Sequence, residues 1–351
     1  MYHTYLTIFV PALIALIVSL IGTRFFVFYM KDAGIVGIDR NKKGLPVVAS
    51  SGGVAVAIGF AVGVLAYSFG GSFPNPQTPI YAPIASLPLL FASVIAVLMI
   101  SFVGFLDDIN VKRSPVQSTD MKDIRKGLRQ WQKPLLSLMG AIPLMAVNAG
   151  VSFIHLPFVG TVNFGIFYPL VIIPLAVIFA SNAFNLVESG NGMAAGGGLI
   201  TSLAMFIYSV YFGTYIGALL SIVLFASILG FFVYNKYPAR ILSGDSFTYA
   251  VGTGLVSAMI LGNMESFGII IFLPWIIEFL LHARRKFKVT TLGKRRSDGS
   301  FAAPYGRKIY SWTHVIMNLG RFNEWQISAL MWTMEFGFVL LAFGLKALNL
   351  L

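Results

Sequence analysis

Residues 87–110 read LPLLFASVIAVLMISFVGFLDDIN, and the fold class turns on them. No charged side chain occurs from Leu87 to Leu106, and a bilayer core of about 30 Å is crossed by roughly 20 apolar residues of helix. The run then ends in two adjacent aspartates, Asp107 and Asp108. At a helix C-terminus each carboxylate works against the helix dipole, by about 0.3–1 kcal/mol. An acid pair placed there calls for a compensating cation, either a lysine or a divalent metal ion.

The rest of the chain has the same character. Its 351 residues are 57% hydrophobic and 11% charged, with a mean hydropathy of +0.81, whereas soluble domains carry about 25% charged residues. This composition predicts an all-α integral membrane protein. Ten segments have the length and apolarity of spans, near 6–29, 52–70, 86–106, 134–150, 167–184, 194–212, 215–234, 246–262, 266–282 and 327–349. The loops between them alternate: 30–51 carries Lys31, Arg40, Lys42 and Lys43, and 107–133 carries Lys112, Arg113, Lys122, Arg125, Lys126, Arg129 and Lys133. Loop 235–245 holds Lys236 and Arg240, and 283–325 is strongly basic, while the stretches around 71–84, 151–165, 213 and 263–265 hold no basic residue. The positive-inside rule then places the charged loops in the cytoplasm and both termini on the other side. The net charge of +12 follows from this topology, and its natural partner is an anionic lipid surface rather than nucleic acid. Cysteine is absent, so any metal must be held by oxygen or imidazole.

Residues 1–351 are expected to form one polytopic membrane domain. The segment 283–325 is too short and polar for a core of its own; it suits a hairpin or a surface helix anchored by Trp312, Ile316 and Leu319.

The remaining unusual polar groups gather on the same side as the acid pair. SNAFNLVESGNGMAAGGG, residues 181–198, interrupts two apolar runs. Asn182 and Asn185 share a helix face at i, i+3, and Asn191 follows in a glycine-rich turn that permits close backbone approach by a ligand. Asp245, after Gly244, opens another span and reads either as a helix cap with Ser246 or as a metal ligand. Oxygen donors of this kind suit Mg²⁺ or Mn²⁺, which take one or two carboxylates together with substrate phosphates and water. Lys133, Arg284 and Arg285 are cations that a diphosphate would need, although such residues are more often interfacial anchors. Glu278 and Glu335 lie inside predicted spans, where an acid needs a partner or a cavity. His282 and His314 are ambiguous. A secondary transporter also uses broken helices and buried acids, but its polar groups sit near the midplane in paired repeats, and here they cluster at one face without matching halves.

In this order the motifs resemble the polyprenyl-phosphate N-acetylhexosamine-1-phosphate transferases, of the glycosyltransferase family 4 type. The resemblance rests on GIVGIDRNKKGLPVVASSGG, GFLDDIN, NAFNLVESGNGMAAG and PARILSGDSFTYAVG. It covers nearly the whole chain and is strongest to the archaeal and eukaryotic dolichyl-phosphate branch. It implies transfer of a sugar 1-phosphate, GlcNAc-1-phosphate first among candidates, from a UDP-N-acetylhexosamine to a polyprenyl or dolichyl phosphate with release of UMP and dependence on Mg²⁺ or Mn²⁺. Another N-acetylhexosamine, for a surface polysaccharide, is the alternative with the same chemistry. Carried over position by position, Asp107, Asp108 and Lys133 fall on catalytic positions and Asn185 and Asp245 on metal ligands. Asn182, Asn191, Arg284, Arg285, Gly52 and Gly53 fall on substrate-binding positions. The family implies a cytoplasmic active site in a plasma membrane or endoplasmic reticulum, and a homodimer is a compatible assembly. Two departures stand out: Pro46 is displaced from the family's proline before Gly52-Gly53, and Val111 replaces a polar residue, with Asn110 one place early. The chain reads HARRKF from His282, without the histidine-rich loop of the cell-wall enzymes, which disfavours their muramyl-pentapeptide substrate.

Overall fold

The computed structural model describes residues 7–72, 86–109, 128, 131–156, 159–212 and 215–351. Asn110, Val111 and most of the basic residues of loop 107–133 lie outside them.

The chain is a helix bundle. Long apolar helices are α1 (Phe9–Asp32), α2 (Gly53–Ser72), α3 (Leu87–Ile109), α6 (Ile173–Val187, continuing a π turn at Tyr168–Ile172), α7 (Met193–Phe212), α8 (Tyr215–Asn235) and α13 (Glu324–Ala347). Among the described residues these seven are long and apolar enough to cross a membrane. The protein is accordingly a multi-pass integral membrane protein. Along α1 the side chains of Val10, Leu13, Ile17, Ile21, Phe25 and Phe28 are all exposed. They recur every three or four residues, which places them on one stripe. In water such a patch would be an aggregation liability; in a bilayer it is the lipid face.

Three of the ten expected spans differ. The expected 266–282 helix is two pieces, α10 (Glu265–Ile271) and α11 (Leu273–Ala283), bent by 55°, with Pro274, which has no N–H to give, in the first turn of α11. The expected 134–150 helix is broken into α4 (Gln132–Ser137), a 3₁₀ turn at Leu138–Gly140 and α5 (Ile142–Ala146), where Gly140 and Pro143 interrupt an otherwise continuous apolar run. The expected 246–262 span is α9 (Gly244–Leu261), buried at every residue from Ser246 to Leu261. Enclosed by protein rather than lipid, α9 tolerates Ser246, Thr248, Thr253 and Ser257, and so falls short of the apolarity of a lipid-facing helix.

Small residues let the helices approach closely. Gly59 and Gly63 of α2 meet Ser19 and Ala15 of α1, and Gly230 of α8 meets Leu16 and Leu20, the packing expected where lipid supplies no hydrophobic drive between helices. Gly104 of α3 abuts the Asp245 carbonyl, and a Cβ there would lie 2.5 Å from it. Among the described residues there are also three two-stranded antiparallel hairpins: β1 (Val36–Ile38) with β2 (Val47–Ala49), β3 (Phe153–Leu156) with β4 (Gly160–Asn163), and β5 (Lys294–Arg295) with β6 (Phe301–Ala302).

Segment 283–325 contains the expected hairpin and a short helix, α12 (Trp312–Leu319). Its Ile316 is buried and Trp312 donates its indole N–H to the Pro274 carbonyl at 3.0 Å, so α12 packs on the bundle; of the three expected anchors only Leu319 is exposed. His314 is held by two bonds: Nε2–H donates to Thr290 O at 2.9 Å and Nδ1 accepts from the Tyr310 amide at 3.2 Å. Burial keeps its pKa below the ordinary value. A depressed histidine contributes stability above its unfolded pKa, near 6.5, that is lost as pH falls through the folded value. The Tm of the detergent-solubilised protein should therefore drop between pH 7.5 and 5.5, and His314→Gln should flatten that part of the curve.

Candidate active site

Four elements converge at the end of the bundle where α3 and α6 finish and α9 begins. Lys133, in the first turn of α4, sets its ammonium between two carboxylates: Nζ lies 2.6 Å from Asp107 Oδ2 and 2.7 Å from Asp245 Oδ2. Burial opposes the charge on Lys133, but Asp245 and Asp107 outweigh it and push its pKa above the ordinary lysine value. Asp107 also accepts from the Leu128 amide, and Asn185, in the last turn of α6, lies beside the Asp245 carboxylate. Tyr249, one turn beyond Asp245, is fully buried, and its hydroxyl has no hydrogen-bond partner among the described residues.

Asp108 has a different set of partners. Its Oδ1 accepts from the Asp245 amide at 2.8 Å, and its Oδ2 accepts from the Ser246 amide at 3.2 Å and from the Ser51 hydroxyl at 2.8 Å. Asp245 was one expected cap of its own helix; the cap instead comes from α3, and Ser243 at the N-cap position makes no side-chain cap bond. The two adjacent acids are thus offset separately. Asp107 meets an ammonium, and Asp108 meets the positive end of the α9 dipole.

Asn182 stands behind Lys133. Its Nδ2 donates to the Ile178 carbonyl at 2.8 Å and to Ser137 Oγ at 3.1 Å, and Ser137 donates to the Lys133 carbonyl at 2.8 Å. Asn182→Ala should loosen α4 and lower turnover by about fivefold, with little change in Tm.

Asn191 belongs to a second knot. Its Oδ1 accepts from Lys42 Nζ at 2.8 Å and from the Ala239 amide at 3.0 Å, while its own amide donates to Glu324 Oε1 at 2.8 Å. Lys42 pairs further with Glu324 and with Asp39, the latter at 3.5 Å. This knot ties the β1–β2 hairpin to the Asn191 turn and to the start of α13. Gly52 and Gly53 serve packing: their amides donate to Leu242 O at 3.1 Å and Ser243 O at 3.3 Å, and neither has room for a Cβ. Arg284 and Arg285 are not brought to the acidic cluster in any contact among the described residues; their guanidiniums lie over the rings of Tyr310 and Tyr305. His282 pairs with Glu278 at 3.0 Å, and Glu278 accepts the Trp312 amide at 2.8 Å, so this pair fastens α12. Glu335 accepts from Thr201 at 3.0 Å. Ser51, Lys42 and Glu324 were not singled out by sequence. A serine and a loop lysine carry no distinctive spacing, and Glu324 reads as an ordinary first-turn acid.

The donor set fits a hard divalent cation. Asp107 and Asp245 outnumber the single Lys133 ammonium by one charge, and Asn185 adds an amide beside Asp245. Among the described residues no group of three or more His, Cys, Asp or Glu is placed to hold a metal ion. A metal here would rest on few protein ligands, as Mg²⁺ does when substrate phosphates and waters complete its shell.

Fold and site together define a polytopic membrane protein with a carboxylate–lysine–amide centre at one end of its bundle. Residues 90–263 match the family model described as glycosyl transferase family 4. The chain is 33% identical over 339 residues to a protein of Saccharolobus solfataricus, covering 96% of each, whose provisional name is UDP-N-acetylglucosamine–dolichyl-phosphate N-acetylglucosaminephosphotransferase. A protein of Sulfolobus acidocaldarius with the same provisional name is 31% identical, over 96% of this chain and 95% of the relative. The phospho-N-acetylmuramoyl-pentapeptide-transferase of Streptococcus uberis is 26% identical over 94% of this chain and 95% of its own length. The chain belongs to glycosyl transferase family 4.

Proposed function

We propose that this protein transfers GlcNAc-1-phosphate from UDP-GlcNAc to a dolichyl-type polyprenyl phosphate, releasing UMP, at the cytoplasmic face of its membrane. The observation that carries the reading is the Lys133 ammonium seated between Asp107 and Asp245 with Asn185 alongside. The names of the two archaeal relatives, each similar over nearly the whole chain, support the substrates. The basic loops support the orientation, with ten spans and both termini outside as the full topology.

In this reaction an oxygen of the lipid phosphate attacks the β-phosphorus of UDP-GlcNAc, a new P–O–P linkage forms, and the bond to UMP breaks. Charge on the phosphoryl oxygens is the main obstacle, so positioning and electrostatics carry the catalysis. Lys133 supplies a fixed positive charge. Asp107 orients the acceptor phosphate and takes its proton when the phosphate arrives protonated. Asn185 and Asp245 would hold Mg²⁺ or Mn²⁺, which when bound neutralises charge on the departing UMP. The apolar outer faces of the helices give the prenyl chain its approach from the bilayer.

Purified protein, Mg²⁺, radiolabelled UDP-GlcNAc and dolichyl phosphate should yield labelled lipid and UMP in equal amounts. Excess EDTA should reduce the label in lipid to background, and added Mg²⁺ should restore it. If neither dolichyl nor undecaprenyl phosphate accepts label from a panel of UDP-N-acetylhexosamines, the transferase reading fails.

A further inference from the structure

We propose that Asp108 and Ser51 are positioning residues: they lock the first turn of α9, and with it the Asp245 carboxylate, and Asp108 takes no part in the phosphoryl transfer. The inference rests on the role given above to Asp245.

Three donors converge on the Asp108 carboxylate, the amides of Asp245 and Ser246 and the hydroxyl of Ser51, and between them they engage both of its oxygens. A group so occupied is poorly placed to accept a proton from an incoming phosphate. Asp107 is engaged at both oxygens too, Oδ1 by the Leu128 amide and Oδ2 by the Lys133 ammonium, but the ammonium carries three donors and can share one with a substrate phosphate. The backbone around Asp108 is shaped for the lock. Gly244 has φ +69°, and a Cβ there would lie 2.3 Å from Asp108 Oδ2, so glycine at 244 is what lets the carboxylate reach the amides. Ser51 is fully buried with φ +63°, a left-handed conformation that a residue with a Cβ adopts at a cost. Glycine would satisfy the conformation more easily, so what serine adds is its hydroxyl. Neighbouring backbone acts in the same sense: Leu242 N–H donates to Ala49 O at 2.8 Å, and Gly52 and Gly53 donate back to residues 242 and 243. The end of β2 and its connection to α2 therefore hold the approach to Asp245 while Asp108 holds the first turn of its helix.

The first amides of a helix have no intrahelical partner, so hydrogen-exchange protection at Asp245 and Ser246 reports on Asp108. Exchange measured by mass spectrometry on the full-length protein in detergent should show protection of the 244–249 region falling about tenfold in Asp108→Asn and less in Ser51→Ala, since a charged acceptor is lost in the first and one donor in the second. The transfer kcat should fall with the same ranking, and the pH–rate profile of both variants should keep its shape. The double variant should lose no more than Asp108→Asn alone, because both act through one lock. Retained protection in Asp108→Asn, or loss of protection with unchanged kcat in both variants, would overturn the proposal. So would an acid limb of the pH–rate profile that disappears in Asp108→Asn and survives in Asp107→Asn. Should Asp108→Asn fail to fold, Ser51→Ala alone decides on the same criteria. Wild-type protein that transfers no label sinks the functional reading, whereas the protection pattern tests the lock by itself.

Discussion

Lys133→Met should lower label transfer from UDP-GlcNAc by about a thousandfold, the upper range for removing one preorganised electrostatic group from a phosphoryl- or acyl-transfer site. The ammonium is the only cation in contact with Asp107 and Asp245 among the described residues. Removing it leaves two acids facing one another, and breaking a largely buried pair in this way costs about 3–5 kcal/mol. Part of the loss is therefore structural, and the Tm of the purified variant measures that part. Lys133→Arg separates charge from geometry. A planar guanidinium cannot place one donor point 2.6 and 2.7 Å from two carboxylates, so partial activity with near-normal Tm is expected. Full activity in Lys133→Met would remove the lysine from the mechanism.

The second large effect falls on folding. A Cβ on Gly53 would lie 1.9 Å from the Phe247 amide nitrogen and 2.1 Å from its Cα, and neither is the end of a side chain that can swing aside. Gly53→Ala should cost about 4 kcal/mol or more, at the far end of single-substitution effects, read as loss of monodisperse protein or a steep fall in Tm. Gly52→Ala meets the ring of Phe231 instead, which can shift, so its cost should be smaller. Gly344, with nothing within 4 Å of a Cβ, is the control. Gly344→Ala should leave Tm unchanged or raise it slightly through helix propensity.

The aspartate pair, the Asn182–Asn191 cluster and Asp245 could be picked out from the chain alone because each breaks an apolar run at its end, where a charge or amide needs a reason. Their meeting at one end of the bundle follows from alternating helix direction and needs no coordinates. The division of labour between Asp107 and Asp108 was hidden. Neighbouring acids look alike in one dimension, and what separates them is the approach of a helix that begins at Gly244. Ser51 was invisible for a related reason, since its left-handed backbone and its bond to Asp108 leave no mark on composition or spacing. The 134–150 segment misled because hydropathy sums over Gly140 and Pro143, while the backbone responds to them individually. Burial of α9 was missed because hydropathy measures suitability for lipid, and this helix meets protein on all sides.

The cap that α3 lends to α9 has a consequence for how the chain is made. Asp108 leaves the ribosome 137 residues ahead of the Asp245 amide it serves, so for much of synthesis the acid pair stands at the membrane edge with Lys133 as its one cation contact among the described residues. Membrane-embedded charge without a partner is costly; Ser51 offers Asp108 one donor early, and its two amide donors are added only when residues 244–246 arrive. A chain cut short anywhere before Gly244 can therefore insert its early helices yet leaves Asp108 without its two amide donors. The same bond that orders the finished site marks an unfinished protein as incomplete.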